Sequence, residues 1–352
     1  MLTSLKLRDF RCFPALECEF APGANVIIGA NAQGKTSILE AVCVLLRLQS
    51  PRAVSLVPLI RLGAIGFVLD GFYSDYHLQF YLSPKRKKLA LDSVEQRTAA
   101  EYLEVGRVVW FSNSDIALAR GGAEERRRYF DFVAGQLDPA YRRHLRAYER
   151  ALRSRNRLLK SATVRWREVE AFDEPLVAAG TALTVARALL VSELQPHASE
   201  AQKAISSVAG ESLSLAYVSG TNGGAGDFAA NLAASRDEDL RLRQTTVGPH
   251  RDDLGLTLNG LAMDLSSEGQ QRTVALALRL AQARLIAARR AQLPLLLLDD
   301  IFGELDPARR NALLDHLPSG AKQIITTTHL DWASTQVERV FRLEGRLLKI
   351  EG

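Results

Sequence analysis

Cysteine is scarce in this chain. Its 352 residues include three, Cys12, Cys18 and Cys43, all near the N-terminus. Their spacing matches neither a disulfide framework nor a metal-ligand set, so they read as small core residues in a reducing cytosol. Long apolar runs are missing too: the longest purely aliphatic stretch, Leu295 to Leu298, is far too short to cross a bilayer. The N-terminus alternates apolar and charged residues rather than presenting a leader, so a cytoplasmic protein with no membrane partner is expected. Internal repeats and low-complexity runs are absent. Excess charge is small, a net +5 with a pI near 9.2, so its distribution matters more than its sum. With 47% apolar and 24% charged residues, the composition is that of a folded chain, long enough for one large domain or two modest ones.

What is present is organised around Gly29-Ala30-Asn31-Ala32-Gln33-Gly34-Lys35-Thr36, a glycine, four residues, then Gly-Lys-Thr. That is the phosphate-loop spacing. Asn25 to Ile28 before it reads as a buried strand, and Ser37 to Leu48 after it as a helix with Ile38, Leu39, Val42 and Leu45 on one face. A strand, a glycine-bearing turn and a helix N-terminus aim several backbone N–H groups at one point, which suits a phosphate chain. Gly29 through Ser37 are therefore expected to bind ATP, with Lys35 on the β- and γ-phosphates and Thr36 offering its hydroxyl to Mg2+. Taken alone, the pattern also fits an ordinary strand-to-helix turn.

The second half supplies matching chemistry. Leu295-Leu296-Leu297-Leu298-Asp299-Asp300 has the form of a Walker B strand, which delivers its acids where open α/β sheets bind ligands. Asp299 is expected to hold Mg2+ and Asp300 to orient the attacking water; the bland alternative is a core strand ending in a polar turn. Ser267-Glu268-Gly269-Gln270 opens a long amphipathic helix, Gln271 to Ala291. It reads either as an N-cap or as the signature of ABC-type ATPases, in which a serine and a helix dipole face a γ-phosphate held by the opposite subunit. Glu304-Leu305-Asp306 follows at D-loop spacing, and Thr326-Thr327-Thr328-His329 follows the next strand, where a γ-phosphate-sensing histidine belongs. A phosphate loop, signature, acidic pair, D-loop and histidine in this order fit an ABC-type head, whose site closes only when two heads sandwich two nucleotides. A plain P-loop kinase or GTPase needs neither signature nor histidine.

Leu5 to Arg8 and Leu16 to Phe20 alternate like half-buried strands, and 66–92 reads as antiparallel strands with a basic turn at Pro84 to Lys88. That turn is either a solvated hairpin tip or a phosphate contact. From about Glu124 to Gln202 the pattern is helical, with Tyr141, Leu145, Tyr148, Leu152 and Leu159 on one face. Arg143, Arg146, Arg150, Arg153, Arg157 and Lys160 share another face, with Glu149 alone in that segment to offset them. Like charges at such spacing oppose a helix by about 0.2–0.5 kcal/mol per pair, so the row is read as a nucleic-acid contact, with a solvated face as the alternative. Glycine-rich 219–227 reads as a connection, Leu254 to Leu261 as strands about an Asn259-Gly260 hairpin turn, and Val337 to Ile350 as a closing hairpin. The expected fold is α/β: an ABC-type P-loop ATPase head at 1–120 and 240–352, with a mixed sheet and an antiparallel β subdomain, split by a helical arm at 121–239.

With these motifs in place, the chain resembles the RecF family, within the SMC-like group of ABC ATPases, over essentially its whole length. The resemblance rests on Leu7 to Arg11, Gly23 to Asn31, Glu125 to Asp131, Tyr141 to Leu145, Gly269 to Thr273 and above all Gly248-Pro249-His250-Arg251-Asp252-Asp253. Ala32 stands where this group usually has glycine, Leu48 to Arg52 replaces a more usual Gly-Arg-Ser segment, and Asn113 falls in a stretch that lacks a common proline. No glutamine marks a Q-loop, so that role stays open near Asn113. The resemblance implies that Arg11 approaches the nucleotide phosphates. It also implies a slow ATPase that dimerises on ATP and binds duplex DNA at single/double-strand junctions, with RecR and RecO as partners and RecA loading as the outcome. Other readings are an SMC-type structural or repair subunit, for which the insertion is too short and lacks a Cys-x-x-Cys hook, a non-hydrolysing DNA scaffold, and a transporter ATPase subunit.

Overall fold

The computed structural model describes residues 1–206, 208, 210–221, 223–330 and 337–351. The chain folds as two compact units: Met1–Asp115 with Gln282–Gly352, and Ile116–Ala281. The 121–239 segment lies within the second unit, which also includes 240–281.

The first unit is built on two sheets. In one, the strands Leu347–Glu351, Val337–Glu344, Ala24–Ile28, Gln323–Thr327, Leu295–Asp299 and Val108–Ser112 lie side by side in that order. All pairs are parallel except the terminal hairpin of Val337–Glu344 with Leu347–Glu351. Parallel strands covered on both faces need unbroken apolar runs. Leu295 to Leu298, Val108 to Phe111 and Val26 to Ile28 are accordingly buried. The helix Lys35–Arg47 contributes Ile38, Leu39, Val42, Leu45 and Leu46, all fully buried. The second sheet is antiparallel, in the order Phe13–Glu19, Leu2–Phe10, Phe67–Tyr73, Tyr76–Leu82, Lys87–Leu91, Val94–Glu95. Here burial alternates, and Phe67 packs edge-on against Phe10 and Phe80 at 5.1 and 5.5 Å. The expected mixed sheet and antiparallel subdomain are thus both present. The basic turn at 84–88 is shorter than the sequence suggests, because Lys87 and Lys88 already belong to a strand and Lys88 pairs with Glu95 at 3.3 Å.

The second unit is mainly helical, with Ala123–Leu137, Pro139–Leu159 and Asp173–Ile205 as its long members. The last is apolar and long enough to span a membrane by composition alone, but its buried face packs on Pro139–Leu159 and on the strand Leu213–Val218. That strand was not expected; its alternation is short, and its antiparallel partner Asp253–Leu258 is distant in sequence. The Asn259-Gly260 turn forms as anticipated, with both residues left-handed and Leu258 opposite Leu261. Of the glycine-rich 219–227 stretch, Asn222 lies outside the described residues.

The Gly248–Asp253 string acquires a structural role. Arg187, almost fully buried, donates to Asp252 Oδ2 at 2.8 Å, the Pro249 carbonyl at 2.7 Å, Asp131 Oδ1 at 2.7 Å and the Tyr141 hydroxyl at 2.9 Å. Burial opposes its charge, yet Tyr141, Asp131 and Asp252 more than offset this and raise its pKa. Asp252, fully buried, also accepts from the Tyr217 hydroxyl at 2.7 Å and from Gly220 N–H at 2.8 Å. Asp253 holds Arg126 by a two-pronged pair at 2.6 and 2.9 Å. His250, its pKa pushed down to about 4 by burial, bridges the Tyr148 hydroxyl at 2.6 Å and the Thr245 carbonyl at 2.9 Å. Gly248 sits at φ 138°, where a Cβ would collide with the Tyr148 hydroxyl and crowd the Phe228 ring. The string therefore ties three helices to the small sheet through charges that need each other. Asp252→Ala strands the Arg187 guanidinium and should cost the second unit about 3–5 kcal/mol in chemical denaturation, whereas a loss below about 1 kcal/mol would show that Arg187 is satisfied without it.

Candidate functional site

The strand Ala24–Ile28 feeds residues 29–34 into the helix Lys35–Arg47, as the sequence predicts. Gly34 sits at φ 110°, and a Cβ there would press into Cys12 Sγ at 2.7 Å and the Phe13 ring at 2.8 Å. Glycine is needed on both counts. Ala32 is left-handed as well, at φ 65°, a region an alanine enters only with strain. The Gly34 carbonyl accepts from Ser37 and Ile38 N–H at 2.9 and 3.2 Å, and the N–H groups ahead of these have no intrahelical acceptor.

Lys35 is nearly buried, and its ammonium donates back to the Gly29 and Ala30 carbonyls at 2.6 and 3.0 Å. Burial pulls its pKa down, while Asp300 and Asp299 pull it up. Thr36 donates its hydroxyl to Asp299 Oδ1 at 2.8 Å, and Thr326 donates to the same oxygen at 2.9 Å. Burial raises the pKa of Asp299 despite those two bonds, and raises that of Asp300 against the fields of Lys35 and His329. Asp300 is left-handed, φ 50°, and His329 is exposed, with its Nδ1 2.7 Å from the Thr328 hydroxyl. Lys35, Thr36, Asp299, Asp300 and His329 therefore gather at one end of the parallel strands.

Arg11 is held by Glu40, with bonds of 2.7 and 2.8 Å to its two oxygens, and Glu40 is fully buried and also takes the Ser50 hydroxyl. The Ser50 oxygen in turn accepts from Arg52 and Ala53 N–H at 3.0 and 2.9 Å, and the field of Arg52 reaches Asp299. Glu40, Ser50 and Arg52 carry no site role in the sequence analysis, and only a Q-loop role is left open near Asn113. Only Glu40 carried a signal, as a lone acid within an otherwise apolar stretch of helix. Gln33 Oε1 is buried without a partner among the described residues.

In the second unit, Ser267 is exposed and precedes the helix Glu268–Arg290. Gln270 Oε1 accepts from Ser267 N–H at 2.9 Å, and Ser267 Oγ accepts from Gln270 N–H at 3.3 Å, a reciprocal cap that holds the helix start. Gln270 Nε2 also donates to Glu211 at 2.8 Å, and Thr273 Oγ1 donates to the Gly269 carbonyl at 2.9 Å. In the first unit, Asp306 caps the helix Pro307–His316 through Arg309 N–H at 3.0 Å, and that bond leads the lowering of its pKa. Along Pro139–Leu159 and just beyond it, Arg143, Arg146, Arg150, Arg153, Arg157 and Lys160 are all exposed. Among the described residues only Arg153 of these has a carboxylate partner, Glu149 at 3.5 Å. Arg155 lies off the row, fully buried between Asp239 at 2.6 Å and Asp173 at 2.8 Å.

The chain is similar to proteins already known. Residues 4–56 match the family model described as AAA domain. Over 346 residues the chain is 37% identical to the DNA replication and repair protein RecF of Symbiobacterium thermophilum, covering 94% of this chain and 92% of the relative. It is 38% identical to the RecF of Anaeromyxobacter dehalogenans, covering 93% and 92%. A solved structure of the recombination mediator protein RecF with ATP superposes with a TM-score of 0.89 at 27% identity, covering 100% of this chain and 97% of that one. An SMC head bound to the C-winged helix domain of ScpA shares the fold alone, with a TM-score of 0.56 at 16% identity.

Ala32→Gly removes the left-handed strain in the phosphate loop. The variant should gain up to about 1 kcal/mol, read as a raised Tm, and keep its nucleotide binding; a lowered Tm would mean that the alanine methyl contributes packing that outweighs the strain.

Proposed function

Since this chain belongs to the RecF family of DNA replication and repair proteins, with the fold of an ABC-type ATPase, we propose that it is an ATP-switched clamp on duplex DNA. Two copies would close around two nucleotides beside a single-strand gap. The observation that carries the nucleotide half of this reading is the 2.8 Å contact of Thr36 with Asp299, which joins the phosphate loop to the acidic pair across 263 positions of sequence. Lys35 exchanges the Gly29 and Ala30 carbonyls for the β- and γ-phosphates, which also relieves the burial of its charge. Arg11 reaches the same phosphates only by leaving Glu40. Asp300 orients the attacking water, and His329 senses the γ-phosphate.

The donor set fits Mg2+. Thr36 and Asp299 offer hard oxygens. They would hold an ion that takes one or two protein oxygens and draws its other ligands from phosphates and water. When bound, Mg2+ neutralises developing phosphate charge. Ser267, Gly269 and Gln270 would come from the other copy, their helix N-terminus facing the γ-phosphate, with Asp306 at the seam. The chain would act in the cytoplasm with RecR- and RecO-like mediators, and RecA loading would follow.

The exposed row from Arg143 to Lys160, in which only Arg153 has a carboxylate partner among the described residues, supports the DNA half. From Arg143 to Lys160 it runs about 26 Å at the helical rise, most of a turn of duplex. ATP should strengthen binding to gapped duplex, Lys35→Ala should abolish that increment, and log affinity should fall linearly with log salt. Replacing Arg146 and Arg150 by alanine should flatten the slope by about 1.8. An unchanged slope together with no effect of ATP on affinity would refute the clamp.

A further inference from the structure

The strands Val108–Ser112 and Leu295–Asp299 run parallel, with Ser112 opposite Asp299 in register. The residues that follow them therefore emerge side by side, and Asn113 Nδ2 donates to the Asp300 carbonyl at 3.0 Å. Asp300 needs such a hold. Its φ of 50° and ψ of 29° lie in the left-handed region, unfavourable for a residue with a Cβ, and such outliers persist only where their surroundings over-determine them. On its other side, Asp300 N–H points to the Thr326 carbonyl at 3.2 Å and the Thr326 hydroxyl at 3.1 Å. Both backbone groups of Asp300 are thus occupied. Among the described residues its carboxylate has no hydrogen-bond or ion-pair partner and stays free for chemistry.

Asn113 is itself fixed. It opens the single turn Asn113–Asp115, where the buried Asp115 accepts Ser112 N–H at 2.7 Å, and Ser112 and Ser114 share a hydroxyl contact of 2.7 Å. We infer that Asn113 is a positioning residue for Asp300: its amide donor keeps the strained backbone in the one conformation that aims the carboxylate. The inference rests on the reading of Asp300 as the water-orienting group. It also gives this stretch a task other than contact with nucleotide or metal. Only a donor does this job, so an aspartate of the same shape fails at it.

The test measures ATP turnover and equilibrium binding of a fluorescent ATP analogue for the full chain carrying Asn113→Ala, Asn113→Asp or Asp300→Asn, and for the Asn113→Ala, Asp300→Asn double variant. Both Asn113 variants should lose about 10- to 100-fold in kcat, with nucleotide Kd within about threefold of the parent. In the Asp300→Asn background, Asn113→Ala should change the residual rate by less than about twofold, since no carboxylate is left to aim. If Asn113→Ala does not fold, the isosteric Asn113→Asp answers the same question. The inference alone is overturned if turnover depends on Asp300 but survives both Asn113 changes, if the loss falls on Kd, or if the two losses simply add. A parent chain that never hydrolyses ATP overturns the proposed function and this inference together.

Discussion

The hydroxyl of Thr36 lies 2.8 Å from the carboxylate of Asp299, and the geometry of the proposed nucleotide site follows from that contact. It exists because Ala24–Ile28 and Leu295–Asp299 flank Gln323–Thr327 in one parallel sheet, so all three strands deliver their next residues to the same edge. Thr326 of the middle strand supplies the second donor to Asp299 and the backbone acceptor for Asp300. The apolar runs that bury these strands therefore do two things at once. They hold the sheet, and they set the spacing between a phosphate loop and its acids.

The same burial charges the site with unfavourable electrostatics. Asp299 and Asp300 have raised pKa values and Lys35 a lowered one, in each case chiefly by desolvation. Lys35 and Arg11 meanwhile rest on acceptors within the chain, two loop carbonyls for one and Glu40 for the other. A triphosphate with a divalent cation would answer all four groups. The backbone strain at Ala32 and Asp300 belongs to the same pattern, since left-handed residues with side chains persist where the surroundings hold them. The second unit shows the opposite arrangement. Arg187 and Arg155 are buried with their acids close by, while the row from Arg143 to Lys160 is left open to solvent.

Much of this was legible in the sequence because it is local. A loop motif fixes its own backbone, and a four-leucine run ending in two aspartates can do little but end a buried strand. The exposed row was legible too, since helical periodicity decides which residues share a face. What escaped depends on pairs far apart in the chain. Arg187 sits in an apolar helix, and nothing nearby in sequence names Asp131 and Asp252 as its partners. Asn113 meets Asp300 only through strand order, and Glu40 finds Arg11 and Ser50 only once the first two strands are folded beside the helix. Leu213–Val218 is a strand because Asp253–Leu258 pairs with it. The Gly248–Asp253 string identified the family without disclosing its task, which emerges from the same buried partners.

We propose that each copy completes the nucleotide site of the other, with Lys35 and Ser267 of one site coming from different chains. The most direct measurement is ATP turnover on DNA by mixed chains, one carrying Lys35→Ala and the other Ser267→Arg. Each alone should be inactive, because every site then lacks one half. Mixed in equal amounts, half of the dimers should contain one intact site, and turnover should return to about a quarter of the parent rate. A mixture as inactive as its two components would contradict the account.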